Sequence, residues 1–597
     1  MSKSQPEPVQ MGVQDAIAHG VALHREGKVT EAEEVYHKVL NIEPDNPDIL
    51  YLLSSIHLSR NNNGLALSLI NMAIEENPNP NEHYYSNLGK IYENLGRVED
   101  TIKAYKKVLA INPNDLNTHH QLTKILLSNG KISDTMRSVR AILQKKADSI
   151  PVLINLSSTL MQLGRLAEAE DVARHILSLQ ADPIAFSNLM LLSHYVPGVN
   201  LERLANYHRE FAEAFEHLKP ETPPVFENLP DPDRPLRVGF LSGDLRRHPV
   251  GYFIAPLLPH LDRSTIETFC FFDSKNNDDM TGHIRAGADN WFNVIGMDHQ
   301  TTADLIREQN IDILFDLAGH AGTDRLITFI KKPAPIQISW AGYVGTTGLS
   351  EMDYIVADRF HIRDEEAKYY VETPLRLSDC NFVVRPPDNS PNVGPLPAIN
   401  NGYVTFGSFS IPTKINPFIV NIWAKIMSQV QNSRLMLKYR AVDDEATIDR
   451  LERLFYDEGI DPSRIDFLGT TSHVDHLDHY NQIDIALDPL PYSGGMTTSE
   501  ALWMGTPVIT CPGETFGGRH AQSMLNCIGL TETIARDFDQ YVQVAVDLAE
   551  DLPRLAAISA GLREQTANSP LMDGAAFANK FERSMRNVWH RWCDSES

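Results

Sequence analysis

The 597-residue chain is poor in cysteine, in basic charge and in long apolar runs, and each shortage excludes a class of protein. Its five cysteines, Cys270, Cys380, Cys511, Cys527 and Cys593, stand far apart and form no CxxC pair. That excludes a disulfide framework or a structural zinc site. No stretch approaches about 18 consecutive apolar residues, so no transmembrane helix is expected. Lys and Arg number 53 against 78 Asp and Glu, for a formal net charge of −25. So acidic a surface repels phosphate backbones and anionic lipid, and neither nucleic acid nor a membrane is an expected partner. Glycine and proline are at average usage, which excludes a collagenous or disordered chain. The opening MSKSQPEPVQMG has no apolar segment of secretory type, and with unpaired cysteines this predicts a cytoplasmic protein.

What the chain does have, first, is a repeat. Gly27, Asn61, Gly96, Gly130 and Gly164 stand 34, 35, 34 and 34 residues apart. Five residues after the first three of these come Ala32, Ala66 and Thr101, then Tyr36, Ile70 and Tyr105, and Pro44, Pro78 and Pro113 close the units. A tight turn, a small residue that lets two helices approach, a large residue one turn further on the same face, and a helix-ending proline form one helical hairpin. The pattern resembles the tetratricopeptide repeat, and about five units are expected over 12–185. Such units stack into a solenoid with a concave surface suited to a protein or peptide. A helical spacer and proline-rich linker, including KPETPPVFENLPDPDRP, are expected over 186–233.

After Pro235 the pattern becomes alternating strands and helices. LRVGFLSG (236–243), IETFCFFDS (266–274), IDILFDLAG (311–319) and IQISWAG (336–342) read as strands of one lobe, 234–385. A linker at 386–400 precedes a second lobe, 401–597, with YVTFGSF (403–409), SRLMLKYR (433–440), RIDFLG (464–469), DIALDP (484–489) and TPVITCPG (506–513). This alternation predicts two Rossmann-like parallel sheets, with ligands beyond the carboxyl ends of their strands. Polar groups collect there: His248 after the first strand, His320 after the third, Gly342 and Tyr343 after the fourth, and Lys414 after FGSF. In the second lobe His476 opens a helix, and Gly494, Gly495, Thr497, Thr498 and Glu500 run into ALWMG. Glycines and hydroxyl residues at a helix start make an anion site.

With KKPAPIQISWAGYVGTTG, LWMGTPVITCPGETFGGR and a lysine after FGSF, the chain resembles glycosyltransferase family 41. These are the repeat-bearing protein O-linked N-acetylglucosamine transferases and the SPINDLY-type O-fucosyltransferases. The resemblance implies an α-solenoid followed by an α/β GT-B pair of lobes. It also implies inverting, metal-independent transfer from a nucleotide sugar to Ser or Thr hydroxyls of proteins docked on the repeats. By the same resemblance Lys414 contacts the diphosphate, His248 is an active-site histidine and His476 lies against the base; His320, at the next strand end in LAGHAG, is a further catalytic candidate from its position, for the sugar or the acceptor. The helix-start residues Gly494, Gly495, Thr497 and Thr498 would meet the phosphates, and Glu500 would accept from ribose. Gly342 and Tyr343 belong to the same nucleotide-sugar set. No cofactor beyond the donor substrate is expected, and no metal: the one clear DxD, Asp231-Pro232-Asp233, sits in the linker and reads as a turn.

Two departures leave the donor open. Where the N-acetylglucosamine branch commonly carries a GHTTG-like run, this chain has GGMTTSE with Gly495 in the histidine's place, and Tyr343-Val344-Gly345 replaces Tyr-Pro-Gly. UDP-N-acetylglucosamine is the leading donor and GDP-fucose the alternative. A catalytically inactive repeat scaffold is the reading from a different class, and intact Lys414, His248, Thr497 and Thr498 speak against it.

Overall fold

The computed structural model describes residues 12–222, 224–322, 324–377 and 380–596. It divides into two compact units, one running to Val152 and one from Leu153 onward.

The first unit is made of paired helices, beginning with Val13–Arg25 and Val29–Leu40. Ala32, Tyr36, Ala66, Ile70, Thr101 and Tyr105 are all buried, as the repeat frame requires. Asn61 adopts φ 57°, in line with Gly27, Gly96 and Gly130 at 79°, 69° and 70°. Asparagine thus supplies the left-handed turn that glycine supplies elsewhere. The frame has a further member seven residues before each turn. A Cβ on Gly20 would come within 2.5 Å of the Tyr36 ring, and one on Gly89 within 2.4 Å of Tyr105. At the same offset Ser54 donates to the Ala66 carbonyl at 2.9 Å. Small residues there let the two helices close on the large one.

The second unit opens with the last repeats. Gly164 (φ 68°) is followed 34 residues later by Gly198 (φ 79°), between the helices Pro183–Ser193 and Leu201–Ala214. The boundary expected at 185 therefore falls inside a helix, and the span read as spacer carries another helical hairpin. The proline that closes earlier units is missing at this offset, so the frame was harder to follow. Phe186, Met190, Tyr207, Phe211 and Phe215 share one core with Leu241, Phe271, Leu314 and Tyr343, so this hairpin is built into the first α/β lobe.

That lobe holds seven parallel strands: β1 (Leu236–Ser242), β2 (Ile266–Phe272), β3 (Asn290–Asn293), β4 (Ile313–Asp316), β5 (Ile336–Ser339), β6 (Tyr354–Ala357) and β7 (Thr373–Arg376), in the order 3-2-1-4-5-6-7. The second lobe holds β8 (Thr405–Ser408), β9 (Arg434–Lys438), β10 (Ile465–Leu468), β11 (Ile485–Leu487) and β12 (Val508–Ile509), ordered 10-9-8-11-12 and also parallel. The nine expected strands are present. The additions β3, β6 and β7 are four-residue strands, two of them only partly buried, so they lack a long apolar run.

One assignment changes. The chain does not end inside the second lobe: the helix Gly574–Glu596 lays Phe577, Phe581, Met585, Trp589 and Cys593, spaced by four, on Phe240, Phe315 and Trp340 of the first lobe. Trp589 also donates to the Asp231 carbonyl at 2.9 Å, fastening the proline-rich linker. In that linker Asp231 accepts the Asp233 N–H at 2.9 Å, the turn expected of the DxD run.

Candidate active site

Loops beyond the strand ends enclose a cleft of about 580 Å³. Charged side chains reach it from both lobes, Asp244 and Arg247 from the first and Lys414 and Glu500 from the second, and the second holds its charges buried. After β8 the chain makes the turn Pro412–Lys414 before the helix Pro417–Gln429, capped by the Asn416 side chain. Lys414 is only 9% exposed. Its Nζ donates to the Ser493 carbonyl at 2.7 Å and lies 4.2 Å from the centre of the Tyr492 ring. Arg450 holds the turn by donating to the Ile415 and Pro412 carbonyls at 3.0 and 2.8 Å, and Thr413 donates to Met161 of the last repeats at 2.9 Å. Burial pushes the Lys414 ammonium down from its usual range and pushes the neighbouring Asp488 carboxyl up.

Asp488 accepts the Gly494 N–H and the Thr510 hydroxyl, each at 2.6 Å, and so fixes the bend that starts the helix Met496–Trp503. The first N–H groups of that helix have no partner within it, and together with the dipole they favour an anion. Gly495 and Thr497 line the cleft. Gly494 is spent on Asp488, and Thr498 turns back to the Gly494 carbonyl at 3.0 Å. Neither is among the lining residues. Hydroxyl residues at a helix start favour such back-bonding, which removes Thr498 from the expected phosphate set.

Glu500, on the next turn of the same helix, accepts from His473 Nε2 at 3.1 Å and His476 Nε2 at 3.3 Å. Burial alone would raise its carboxyl, but these two bonds hold it at about 2. Glu500 and His476 thus both line the cleft, and each Glu500 oxygen already carries one imidazole. His479, the third member of the HxxHxxH run, bonds its own backbone at Asp475 and takes no part.

The first lobe supplies Asp244 and Arg247, paired with Arg246 and Asp279, and beside them neutral groups. His248 caps the helix Pro249–Ile254, its Nδ1 3.4 Å from the Val250 nitrogen and 3.7 Å from Asp244 Oδ2. Burial lowers its pKa and Asp244 restores part of the loss, so a neutral imidazole lines the cleft. Gly342 and Tyr343, after β5, line it too. A Cβ on Gly342 would sit 2.0 Å from the Leu317 carbonyl, so the loop needs glycine to pass. The Tyr343 hydroxyl reaches His208 Nε2 at 2.8 Å and His194 Nε2 at 2.9 Å. His208 Nδ1 lies 2.6 Å from the Leu204 carbonyl and must carry its proton there. Its Nε2 therefore accepts from Tyr343, and His194 donates to the tyrosine oxygen. Burial holds both histidines neutral, at about 4 and about 3.

His320 is a correction. It is buried, donates from Nε2 to the Thr347 carbonyl at 2.9 Å, and packs edge-on against Phe211. It does not line the cleft. A strand-end position identifies a histidine near the site but not which way it faces, and the helices after residue 183 cover this one. The sequence reading also passed over His520, Phe516 and Tyr439, which line the cleft. Each follows a second-lobe strand, and that position was the available signal.

Tetratricopeptide hairpins followed in the chain by two parallel α/β lobes, with a buried cation and a helix start at the cleft of the lobes, define a class of repeat-bearing α/β protein. Comparison makes it specific. Residues 212–385 and 397–581 match Glycosyl transferase family 41, and residues 23–91, 84–115 and 150–183 match tetratricopeptide repeats. The chain belongs to glycosyltransferase family 41. It is 34% identical over 420 residues to an Arabidopsis thaliana protein named probable UDP-N-acetylglucosamine–peptide N-acetylglucosaminyltransferase SPINDLY, covering 69% of this chain and 46% of that one. An Arabidopsis relative of the same description, SEC, is 30% identical over 373 residues, covering 60% and 38%. The chain spans about half the length of the curated relatives it matches. Among solved structures, a mutant of the Thermobaculum terrenum O-GlcNAc transferase superposes with TM-score 0.68 at 29% identity, over 98% of both chains.

Proposed function

We propose that this chain is a GT-B glycosyltransferase that moves a sugar from a nucleotide sugar, with UDP-N-acetylglucosamine the leading donor, to Ser and Thr hydroxyls of proteins held by the repeats. The observation that carries the reading is the run of groups along one cleft. His476 and Glu500 suit a nucleoside, Gly495 and Thr497 at a helix start suit phosphates, and buried Lys414 suits the charge that grows on the departing diphosphate. In the reaction the acceptor oxygen bonds the anomeric carbon on the face opposite the diphosphate, and the sugar–phosphate bond breaks with its electron pair going to phosphate. One displacement gives inversion. His248, neutral and on the opposite wall, would receive the hydroxyl proton at Nε2 once its own proton sits on Nδ1, toward Asp244 Oδ2 at 3.7 Å, in place of the long Val250 contact. Lys414 and the helix start meet the diphosphate charge, so the step calls for no metal. The relatives' names support a protein acceptor, and free cysteines fit a reducing cytoplasmic compartment.

One observation favours the alternative donor, GDP-fucose. A side chain built on Gly495 would meet nothing within 4 Å, so the cleft is open where the N-acetylglucosamine branch commonly carries histidine. Calorimetry with UDP, GDP and their sugars decides. UDP and UDP-N-acetylglucosamine should bind, and with chelator present transfer to a protein acceptor should persist. GDP binding an order of magnitude more tightly than UDP would reverse the donor assignment.

A further inference from the structure

At the end of the cleft beyond Lys414 stands a buried polar chain that the proposed transfer does not use. Asp358, just past β6, accepts the backbone N–H groups of Phe360 and His361 at 2.9 and 3.0 Å and the Ser523 hydroxyl at 2.6 Å. His361 Nδ1 is 2.9 Å from Asp358 Oδ2, at charge-contact distance though not aligned as a hydrogen bond. His361 Nε2 in turn is 2.9 Å from Nδ1 of His520, which lines the cleft. Asp358 and His361 belong to the first lobe and His520 to the second. Arg519 locks the junction by pairing with both oxygens of Glu366 at 2.6 and 2.7 Å. Burying three ionisable side chains in a line costs free energy that packing alone would not require.

The line has a direction. Asp358 Oδ2, 2.9 Å from His361 Nδ1, faces a proton on that nitrogen, and in the 2.9 Å contact with His520 the acceptor is then His361 Nε2. His520 must then donate from Nδ1, and its Nε2 carries a lone pair. The cleft has a polarity too. His476 neighbours Phe409, Tyr480 and His473, whereas His520 neighbours Tyr492, Phe516 and Phe382. Lys414 lies over Tyr492, on the His520 side, so a diphosphate held by Lys414 adjoins His520, away from the His476 group at the nucleoside end, and the sugar it carries falls within reach of His520.

We propose that His520 recognises the transferred sugar, its Nε2 accepting from a hydroxyl or amide N–H of the donor's hexose, and that His361 and Asp358 are positioning residues that fix its ring and tautomer. The inference rests on the nucleotide-sugar reading above. It is tested on the full chain by calorimetry with UDP and UDP-N-acetylglucosamine, and with GDP and GDP-fucose as a second pair. His520→Phe keeps a flat ring against Tyr492 and Phe516. It should weaken the intact nucleotide sugar about 3–10-fold, the worth of one neutral hydrogen bond, and leave the nucleoside diphosphate within about twofold. His361→Phe should shift the same ratio by less, and His520→Gln, which keeps an acceptor at similar reach, should restore part of it. Should His520→Phe fail to melt like the parent, the glutamine variant and His361→Phe carry the comparison. Equal losses for sugar nucleotide and diphosphate, or none for either, would overturn the assignment. A parent chain that binds none of the four ligands would instead remove the donor reading beneath it.

Discussion

The two lobes carry the same kind of parallel sheet and meet one cleft, but they bring opposite chemistry to it. From the second come a buried ammonium, a helix start and an ionised carboxylate between two imidazoles. From the first come a neutral histidine, a tyrosine loop braced by two more neutral histidines, and Asp244 and Arg247, each already ion-paired within that lobe. On the proposed reading the second lobe holds the donor's anion and the first handles the acceptor and its proton. Substitutions can break that division: changes in the second should move donor affinity, and changes in the first should move turnover.

The largest expected effect is on the first-lobe side. His248→Ala should lower turnover about 10²–10⁴-fold, the usual worth of a positioned base, with donor affinity nearly unchanged. Single-turnover transfer beside a binding titration checks both halves. A comparable loss of nucleotide affinity would mean that the histidine serves the donor and that the lobes do not divide the work.

Next comes Lys414→Ala, expected to cost about 10²–10³-fold in turnover, as for other groups that meet developing charge. Unlike His248→Ala it should also weaken UDP. A folded variant that keeps more than a third of the parent turnover would remove Lys414 from the diphosphate.

Lys414 and His320 show how far the sequence was legible. Both follow strands, and Lys414 sits in a family motif as well, so both were readable as near the cleft. Only the fold separates them. Lys414 has a backbone carbonyl and an aromatic face beside the cleft, whereas His320 finds the Thr347 carbonyl and Phe211 behind it. Which way a side chain leaves a loop depends on partners distant in sequence, and no local pattern records them. The same holds for the C-terminal helix, whose four-residue stripe announces a buried face without naming the lobe it covers. The repeat frame, being local, was legible nearly throughout. It was lost where the helices pack on a sheet instead of another repeat.

That last hairpin yields a prediction about stability. Tyr343→Phe leaves the His208 acceptor and the His194 donor buried without their shared partner. The expected cost is about 1–3 kcal/mol for each group left unpaired. It should appear as a lower urea midpoint and melting temperature for the unit beginning at Leu153. UDP affinity should stay near the parent value, because the tyrosine hydroxyl points at the helices and not at the donor. Unchanged stability would show that the loop does not depend on the histidine brace.

The smallest effect expected is a pH dependence that belongs to the second lobe alone. Burial pulls Lys414 down to about 8, and Asp488 restores only part of the loss. The lysine is cationic below that value and neutral above it, and an anionic diphosphate binds the cation. UDP affinity should therefore be highest below about pH 8 and fall as pH rises through it. The bound diphosphate raises the lysine's pKa in the complex, so the fall is at most about tenfold per pH unit and ends once the complex also deprotonates. Glu500, held at about 2, stays ionised across this window, and burial keeps His520 neutral in it. Burial raises Asp488, the neighbour of Lys414, only to about 7, so titrations of UDP between about pH 8 and 9.5 read Lys414 with that carboxylate already ionised. Lys414→Met should flatten the profile, and His248→Ala should leave its shape intact. A profile that instead followed His248 would place donor binding in the first lobe and erase the difference between the two.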